Sequence, residues 1–92
     1  MEKNLKEYFE KNEWKIDLDN SLAIKEYNFN DFISAFSWMT KVAIYAEKLN
    51  HHPEWNNVYN KVKVHLQTHD EGKITIKDLE LAKIMDNFFE KP

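Results

Sequence analysis

The sequence of 92 residues contains no cysteine, and it has only one glycine and two prolines. Without cysteine, neither disulfide bonds nor thiolate metal sites can stabilise so short a chain, which therefore depends on close side-chain contacts or self-association. Arginine is absent too, because all thirteen basic residues are lysines. The guanidinium groups that clamp phosphates and guanine edges are thus missing. Together with a net charge of −3, this absence argues against direct nucleic-acid binding.

Long hydrophobic runs are missing as well. Lys41, Glu47 and Lys48 interrupt the most apolar stretch, which is consequently too polar for a membrane span of about 20 apolar residues. Residues 1–8 alternate charged and apolar side chains and lack the continuous apolar segment of a secretory signal. We therefore expect one domain over residues 1–92, located in the cytoplasm and without a membrane partner.

Hydrophobic periodicity predicts a fold of helices and antiparallel strands. Helical spacing of apolar residues predicts helices over residues 4–11, 30–49 and 75–89, the second with Asn30 as its N-cap. Two-residue alternation predicts strands over residues 14–18, 22–29, 55–59 and 62–68, the last two forming a hairpin around Asn60-Lys61. The order α-β-β-α-β-β-α indicates an α+β protein, in which helices cover one face of a four-stranded antiparallel sheet.

The central predicted helix, residues 30–49, has more apolar surface than a single stripe. Its core-facing residues are expected to be Phe32, Ala35, Phe36, Met39, Val42, Ala43, Ala46 and Leu49. The apolar residues beyond this stripe are Ile33, Trp38, Ile44 and Tyr45. Such a second face predicts a homodimer or homotetramer that associates through this helix. The alternative is that Trp38 and Tyr45 lie against loops of their own chain.

Three of the four histidines lie in two short motifs, Glu47-x-x-x-His51-His52-Pro53 and Thr68-His69-Asp70. Imidazole groups titrate near neutral pH and therefore suit proton transfer. A tight hairpin brings the entry of its first strand and the exit of its second strand to one end of the sheet. The three imidazoles are consequently expected to converge there, presented by a loop that the proline stiffens.

Metal binding is the alternative role for the histidines, because imidazole is a common zinc ligand. The adjacent His51 and His52 cannot easily direct both rings to one ion. The His65-x-x-x-His69 spacing falls on a strand and its exit, where the two side chains do not share a helical face. We therefore expect no metal site, and we interpret His65 as a polar residue on the outer face of its strand.

Residues 46–82 contain, in order, an acidic residue, a His-His-Pro, an aromatic residue, a distal histidine and an aspartate. These are Glu47, His51-His52-Pro53, Tyr59, His69 and Asp78. The pattern resembles the signature of the pterin-4a-carbinolamine dehydratase family, and weaker similarity extends over about residues 14–88. The resemblance implies dehydration of 4a-hydroxytetrahydropterin to quinonoid dihydropterin and water, with His51, His52 and His69 as the active-site imidazoles. The pterin is then the substrate, and no cofactor is expected.

Residues in and beside the two motifs are candidate substrate contacts. They are Glu47, Pro53, Thr68, Asp70 and Glu71. Glu47 lies one turn before the predicted end of the central helix. There it is close enough to His51 to hydrogen-bond an imidazole or the amino-pyrimidinone edge of a pterin.

Asp78 and Trp55 have two interpretations each. Asp78 belongs to the family signature, but the spacing Thr75-x-x-Asp78 is that of a capping box, which favours a structural role. Trp55 shares a predicted strand face with Tyr59, where the two rings could stack on a pterin or lie in the core.

The resemblance also implies a different class of function. Members of the family can stabilise the dimer of a transcription factor, using the helix face that otherwise mediates self-association. Three convergent imidazoles favour catalysis, since a binding module does not need them. A third interpretation is a helical interaction domain whose histidines are only polar surface, and the spacing of the motifs argues against it.

Overall fold

The computed structural model describes residues 2–92. Its elements are α1 (Lys3–Lys11), β1 (Lys15–Asp17), β2 (Leu22–Asn28), α2 (Phe32–Leu49), β3 (Glu54–Val58), β4 (Lys61–Leu66) and α3 (Ile76–Phe88). The strands form one antiparallel sheet in the order β1-β2-β4-β3. The predicted α+β class and element order are confirmed. Within residues 2–92, no helix is both long and apolar enough to cross a bilayer.

Alternate strand residues are buried beneath the helices, as the two-residue periodicity of strands requires. The fully buried strand residues are Ala23, Tyr27, Val62, Val64 and Leu66. Pairing of β2 with β4 places Ala23 opposite Leu66 and Tyr27 opposite Val62. Lys61 and Lys63 alternate with the buried residues of β4 and are exposed. The core therefore lies on one face of the sheet, and the other face meets water.

Helix α2 begins one residue later than predicted. Asp31, and not Asn30, is the N-cap, because its Oδ1 accepts a hydrogen bond of 2.7 Å from the backbone N–H of Ser34. Both residue types are good caps, but only the carboxylate adds a negative charge at the positive end of the helix. The helix ends at Leu49 as predicted, and Asn50 follows in the left-handed conformation with φ 52°.

Trp38 belongs to the core of its own chain. The residue is buried, its Nε1 donates to the carbonyl of Met85 at 3.1 Å, and its ring centroid lies 4.4 Å from that of Tyr27. Its assignment to a face covered by a second copy is therefore wrong, and it lies against its own chain. Tyr45 is partly exposed, and its ring centroid lies 5.2 Å from that of Phe88.

Three residues assigned to the core-facing stripe of α2 lie outside the core. Phe32, Phe36 and Ala43 are exposed. The buried residues of the helix are Ala35, Trp38, Val42 and Ala46. The stripe is rotated relative to the prediction because the large indole of Trp38 faces inward and turns the two phenylalanines toward solvent.

The β3–β4 hairpin turns one residue earlier than predicted. Val58 pairs with Lys61, so the two turn residues are Tyr59 and Asn60, and Tyr59 adopts the positive φ of 51°. Asn60 forms two hydrogen bonds with the backbone of Phe29. Its side-chain Nδ2 donates to the carbonyl of Phe29 at 3.0 Å, and its backbone carbonyl accepts the N–H of Phe29 at 2.8 Å. These contacts anchor the turn to the end of β2. Strand β1 is also shorter than predicted and ends before the exposed Leu18.

Asp86, near the end of α3, joins the N-terminal half of the chain to this helix. Its carboxylate accepts hydrogen bonds from the Tyr8 hydroxyl (2.7 Å), Trp14 Nε1 (3.0 Å), Lys25 Nζ (2.8 Å) and the Tyr27 hydroxyl (2.5 Å). Burial and the neighbouring carboxylate raise the pKa of both Tyr8 and Tyr27. The phenols therefore remain neutral donors around one charged acceptor.

Candidate active site

The two histidine motifs meet at one end of the sheet, where α2 leads into β3 and where the chain leaves β4. A cleft of about 220 Å³ opens there. Its lining residues are Asn50, His51, His52, Thr68, His69, Asp70 and Lys77. The three predicted imidazoles therefore share one cleft, as the geometry of the hairpin requires.

His51 is the buried member of the adjacent pair. Its backbone N–H donates to the carbonyl of Ala46 at 3.1 Å, which fixes the residue under the end of α2. Only 9% of its side chain is exposed, and Nε2 lies 2.6 Å from Oδ1 of Asp78. The left-handed Asn50 ends the helix and turns the chain so that this ring points into the protein.

Asp78 combines a structural task with a contact to the site. It is fully buried and forms the predicted capping box with Thr75, in which Oδ2 accepts the backbone N–H of Thr75 at 2.9 Å. The prediction of a helix cap is thus confirmed. The same carboxylate also holds the ring of His51, so the start of α3 and the end of α2 are joined through this one side chain.

Thr68 lines the cleft, but its hydroxyl is engaged inside the protein. The Oγ1 atom lies 2.9 Å from Oδ2 of Asp78 and 2.5 Å from Oγ1 of Thr75. The side chain is buried. A direct contact between this hydroxyl and a substrate stays a prediction, and what the structure shows is a contact with the carboxylate that holds His51.

His52 points the other way from His51 and is exposed. Its Nε2 lies 2.8 Å from Oε1 of Glu47, and 60% and 80% of these two side chains are accessible to solvent. The imidazole that Glu47 contacts is that of His52 and not that of His51, because His51 is turned under the helix end. An exposed pair of this kind contributes at most about 1 kcal/mol, so His52 can change its orientation at low cost.

His69 and Asp70 lie in a tight turn after β4. The N–H of Gly72 donates to the carbonyls of Thr68 (2.9 Å) and His69 (3.2 Å), and Gly72 has the positive φ of 61° that favours glycine. Thr68 also pairs with Lys73 across the turn. Both His69 and Asp70 are exposed at the rim of the cleft.

Lys77 is a cleft residue that was not predicted from the sequence. It lies in the first turn of α3, directly before Asp78, and places a cation beside the three imidazoles. A lysine in a helical turn carries no signal by itself. The available clue was its position between the two capping-box residues, directly before Asp78.

Several predicted site residues lie away from the cleft lining. Pro53 follows His52 and is half-buried, whereas Glu71 pairs with Lys73 at 3.8 Å on the surface. Trp55 lies on the inner side of β3, 6.1 Å from the ring of Trp38.

Tyr59 and His65 are also remote from the cleft. Tyr59 occupies the turn at the opposite end of the hairpin, so it does not form a stacking surface with Trp55. His65 faces outward on β4 between Ile24 and Glu54, as predicted.

Comparison with known proteins places the chain in a family. Residues 1–88 match the family model described as Pterin 4 alpha carbinolamine dehydratase. The chain belongs to this family. The match covers the cleft, all four strands and all three helices, so the resemblance noted in the sequence is confirmed over almost the whole chain.

Curated members of the dehydratase family are similar over most of their length. A Prochlorococcus marinus (strain NATL2A) protein, provisionally named pterin-4-alpha-carbinolamine dehydratase, is 51% identical over 88 residues. The match covers 94% of this chain and 90% of that relative. A relative with the same provisional name from strain MIT 9515 is 53% identical over 78 residues, covering 85% of this chain and 79% of the relative.

Two solved structures share the dehydratase fold. A Brucella melitensis protein described as a transcriptional coactivator/pterin dehydratase has a TM-score of 0.87 and 34% identity, over 96% of each chain. A pterin dehydratase-like protein described as a RuBisCO assembly factor in the alpha-carboxysome has a TM-score of 0.72 and 15% identity. That match covers 86% of this chain and 92% of the other, and it shows a common fold alone.

Proposed function

We propose that the protein catalyses the dehydration of 4a-hydroxytetrahydropterin to quinonoid dihydropterin and water, in the recycling of a tetrahydropterin. The observation that carries this proposal is that His51, His52 and His69 line one cleft. Membership of the dehydratase family supports the reaction class. The cleft supplies the proton donors and acceptors that such a reaction needs.

The reaction requires one proton transfer to the substrate and one proton transfer away from it. The C4a–O bond breaks as the hydroxyl receives a proton and leaves as water. The neighbouring ring nitrogen loses a proton, and its electron pair forms the new C=N bond. Imidazoles near neutral pH suit both tasks, because each can be held as an acid or as a base. We assign this acid–base work to His51, His52 and His69.

Polar residues at the rim of the cleft complete the proposed substrate site. Lys77 can donate hydrogen bonds to the pyrimidinone oxygen of a pterin, and Asp70 can accept them from its amino group. Glu47 acts through His52, whose ring it contacts. A planar, uncharged bicyclic ligand matches a rim that carries one lysine and one aspartate.

A stopped-flow assay of 4a-hydroxytetrahydropterin dehydration tests the proposal. His51→Ala, His52→Ala and His69→Ala should each lower kcat, and the largest loss should reach about 10²-fold or more, the usual contribution of an acid or base. His65→Ala is the matched control because His65 lies outside the cleft on the outer sheet face. Circular dichroism verifies folding of all four variants. The proposal would be contradicted if the native protein did not accelerate dehydration, or if the three cleft variants were as fast as the control His65→Ala.

We further propose that the protein forms a homodimer or homotetramer through the outer face of α2. This outer α2 face consists of Phe32, Ile33, Phe36 and Ile44, all of which are exposed, Ile33 by 74%. Several large apolar side chains exposed on one helix are typical of an interface. Ile33→Glu should therefore lower the mass measured by light scattering after gel filtration. Leu18→Glu is the control, since Leu18 is equally exposed and lies in the turn between β1 and β2.

The same face supports a second candidate function, binding of a transcriptional regulator. The observation that favours it is the 34% identity to the Brucella melitensis protein described as a transcriptional coactivator/pterin dehydratase. The two functions use different surfaces, since the outer α2 face is on a helix flank and the cleft is at the helix end. Ile33→Glu should then abolish regulator binding and retain dehydratase activity, whereas His51→Ala should do the reverse.

A further inference from the structure

A chain of three polar side chains leads from the N-cap of α3 to the ring of His51. Oγ1 of Thr75 lies 2.5 Å from Oγ1 of Thr68, which lies 2.9 Å from Oδ2 of Asp78. The other oxygen of Asp78 lies 2.6 Å from Nε2 of His51. Thr68, Asp78 and His51 are all buried, so these contacts are protected from competing water.

The donors and acceptors along this chain fix where each proton lies. An ionised carboxylate only accepts, so the hydroxyl of Thr68 donates its single hydrogen to Asp78. At the contact between the two threonines, Thr75 must then be the donor. Its oxygen still accepts the backbone N–H of Lys77 at 3.3 Å. Every hydrogen in the chain therefore has one position.

The same reasoning assigns the proton on His51. The ionised Oδ1 of Asp78 needs a donor, so Nε2 carries the hydrogen and Nδ1 keeps its lone pair. Nδ1 makes no hydrogen bond to residues 2–92. No buried side-chain nitrogen or oxygen in that range lacks a partner. Nδ1 therefore reaches the surface, where His51 lines the cleft.

We propose that Thr75, Thr68 and Asp78 are positioning residues that hold His51 as the Nε2–H tautomer, which makes Nδ1 the atom that accepts the substrate proton. This inference rests on the proposed dehydratase function and names the base within it. His51 Nδ1 takes the proton from the ring nitrogen of the pterin as the C=N bond forms. The departing hydroxyl receives its proton from His52 or His69, and water leaves.

Comparison with His52 explains why we assign proton abstraction from the pterin to His51. His52 also contacts a carboxylate through Nε2, but both partners are exposed and their contact is screened by water. Its ring can rotate and exchange tautomers. The ring of His51 is held between Asp78 and the end of α2, so its free nitrogen keeps one direction. A base with a fixed lone pair suits abstraction from a ring nitrogen in a bound substrate.

Nitrogen-15 NMR of histidine-labelled, substrate-free protein tests the inference directly. The long-range proton–nitrogen correlation pattern distinguishes the two tautomers, and His51 should show a protonated Nε2 and an unprotonated Nδ1 at neutral pH. Thr68→Val should convert this pattern into a mixture of tautomers and lower kcat about tenfold with little change in KM, whereas Thr68→Ser should restore both. Thr40→Val is the matched control, since the hydroxyl of Thr40 bonds only within α2.

The outcomes separate this inference from the proposed function. A native His51 with its proton on Nδ1, or a Thr68→Val variant with an unchanged spectrum and kcat, would overturn the inference while leaving the dehydratase proposal intact. The Nε2–H tautomer in a protein that does not accelerate dehydration would overturn the proposed function instead. The positioning chain would be established by three results together. The native protein shows the Nε2–H tautomer, Thr68→Val loses the single tautomer and part of kcat, and Thr68→Ser regains both.

Discussion

The Nε2 atom of His51 lies 2.6 Å from Oδ1 of Asp78, although 27 positions separate the two residues in the sequence. The contact joins the end of α2 to the start of α3 and is closed to solvent. The neighbouring His52 makes a contact of similar length, 2.8 Å, with the exposed Glu47. Adjacent histidines with the same chemistry therefore differ in mobility, because one carboxylate partner is buried and the other is not.

Replacing Asp78 by Ala should destabilise the protein by about 3 kcal/mol. The substitution removes the carboxylate half of the capping box, worth about 1 kcal/mol. It also leaves the buried hydroxyl of Thr68 without its acceptor, at a cost of about 1–3 kcal/mol. Urea denaturation measures the change in the free energy of unfolding. Asp70→Ala is the control at the rim of the same cleft and should change it by less than about 0.5 kcal/mol. Equal stability of both variants would show that the buried contact does not form.

Much of the fold follows from local patterns in the sequence. The apolar alternation of Val62, Val64 and Leu66 correctly predicts the strand β4, and the capping box correctly places the start of α3. The order of the elements and the meeting of the histidine motifs then follow from the hairpin geometry. Short-range periodicity is sufficient here because each element has one dominant buried face.

Details that depend on tertiary contacts could not be predicted in the same way. Asn30 and Asp31 are both capable N-caps, and the choice depends on where the chain leaves β2. In the sequence, Trp38 is one of the apolar residues beyond the core-facing stripe of the central helix. In the structure, its indole N–H donates to the carbonyl of Met85, a partner that the sequence does not reveal. Which imidazole Glu47 contacts could not be predicted either, because the direction of each ring depends on the backbone turn at Asn50, which spacing alone does not reveal.

Lys77 should contribute to substrate binding more than to the chemical step. Its side chain borders the cleft and can donate a charged hydrogen bond, worth about 1.5–3 kcal/mol, to a pterin oxygen. Lys77→Met should therefore raise KM for 4a-hydroxytetrahydropterin about tenfold or more and change kcat less. The control is Lys63→Met on the outer sheet face, which should leave both constants unchanged. An unaltered KM in Lys77→Met would remove this lysine from the substrate site.

Replacing Asp86 by Ala should be among the most destabilising changes in the chain. Four donors converge on this carboxylate, including Lys25 at 2.8 Å in a largely buried ion pair. Removing one partner of a buried pair typically costs about 3–5 kcal/mol. Urea denaturation should show this loss, and Asp86→Asn should show a smaller one because it keeps an acceptor oxygen. Asp17→Ala, at the end of β1, is the control. A similar loss in that variant would contradict the central role of Asp86.

The protein should lose stability in alkali through its buried phenols. Burial and the charge of Asp86 raise the pKa of Tyr27 above its ordinary value of 10.0, and Tyr8 is shifted in the same direction. Because the folded state favours the neutral phenol, this stabilisation is complete below about pH 10 and declines as the pH rises further. The free energy of unfolding, measured in urea across that range, should therefore fall.

The alkaline loss can be assigned to Tyr27 by substitution. Tyr27→Phe removes the titrating group together with a hydrogen bond, so it should be less stable at neutral pH but should show a shallower decline above about pH 10. Tyr59→Phe is the control because Tyr59 is exposed in the hairpin turn and is not one of the four donors to Asp86. It should reproduce the slope of the native protein. Parallel curves for all three proteins would mean that another group governs the alkaline transition, since only the slope reports a difference in bound protons between the folded and unfolded states.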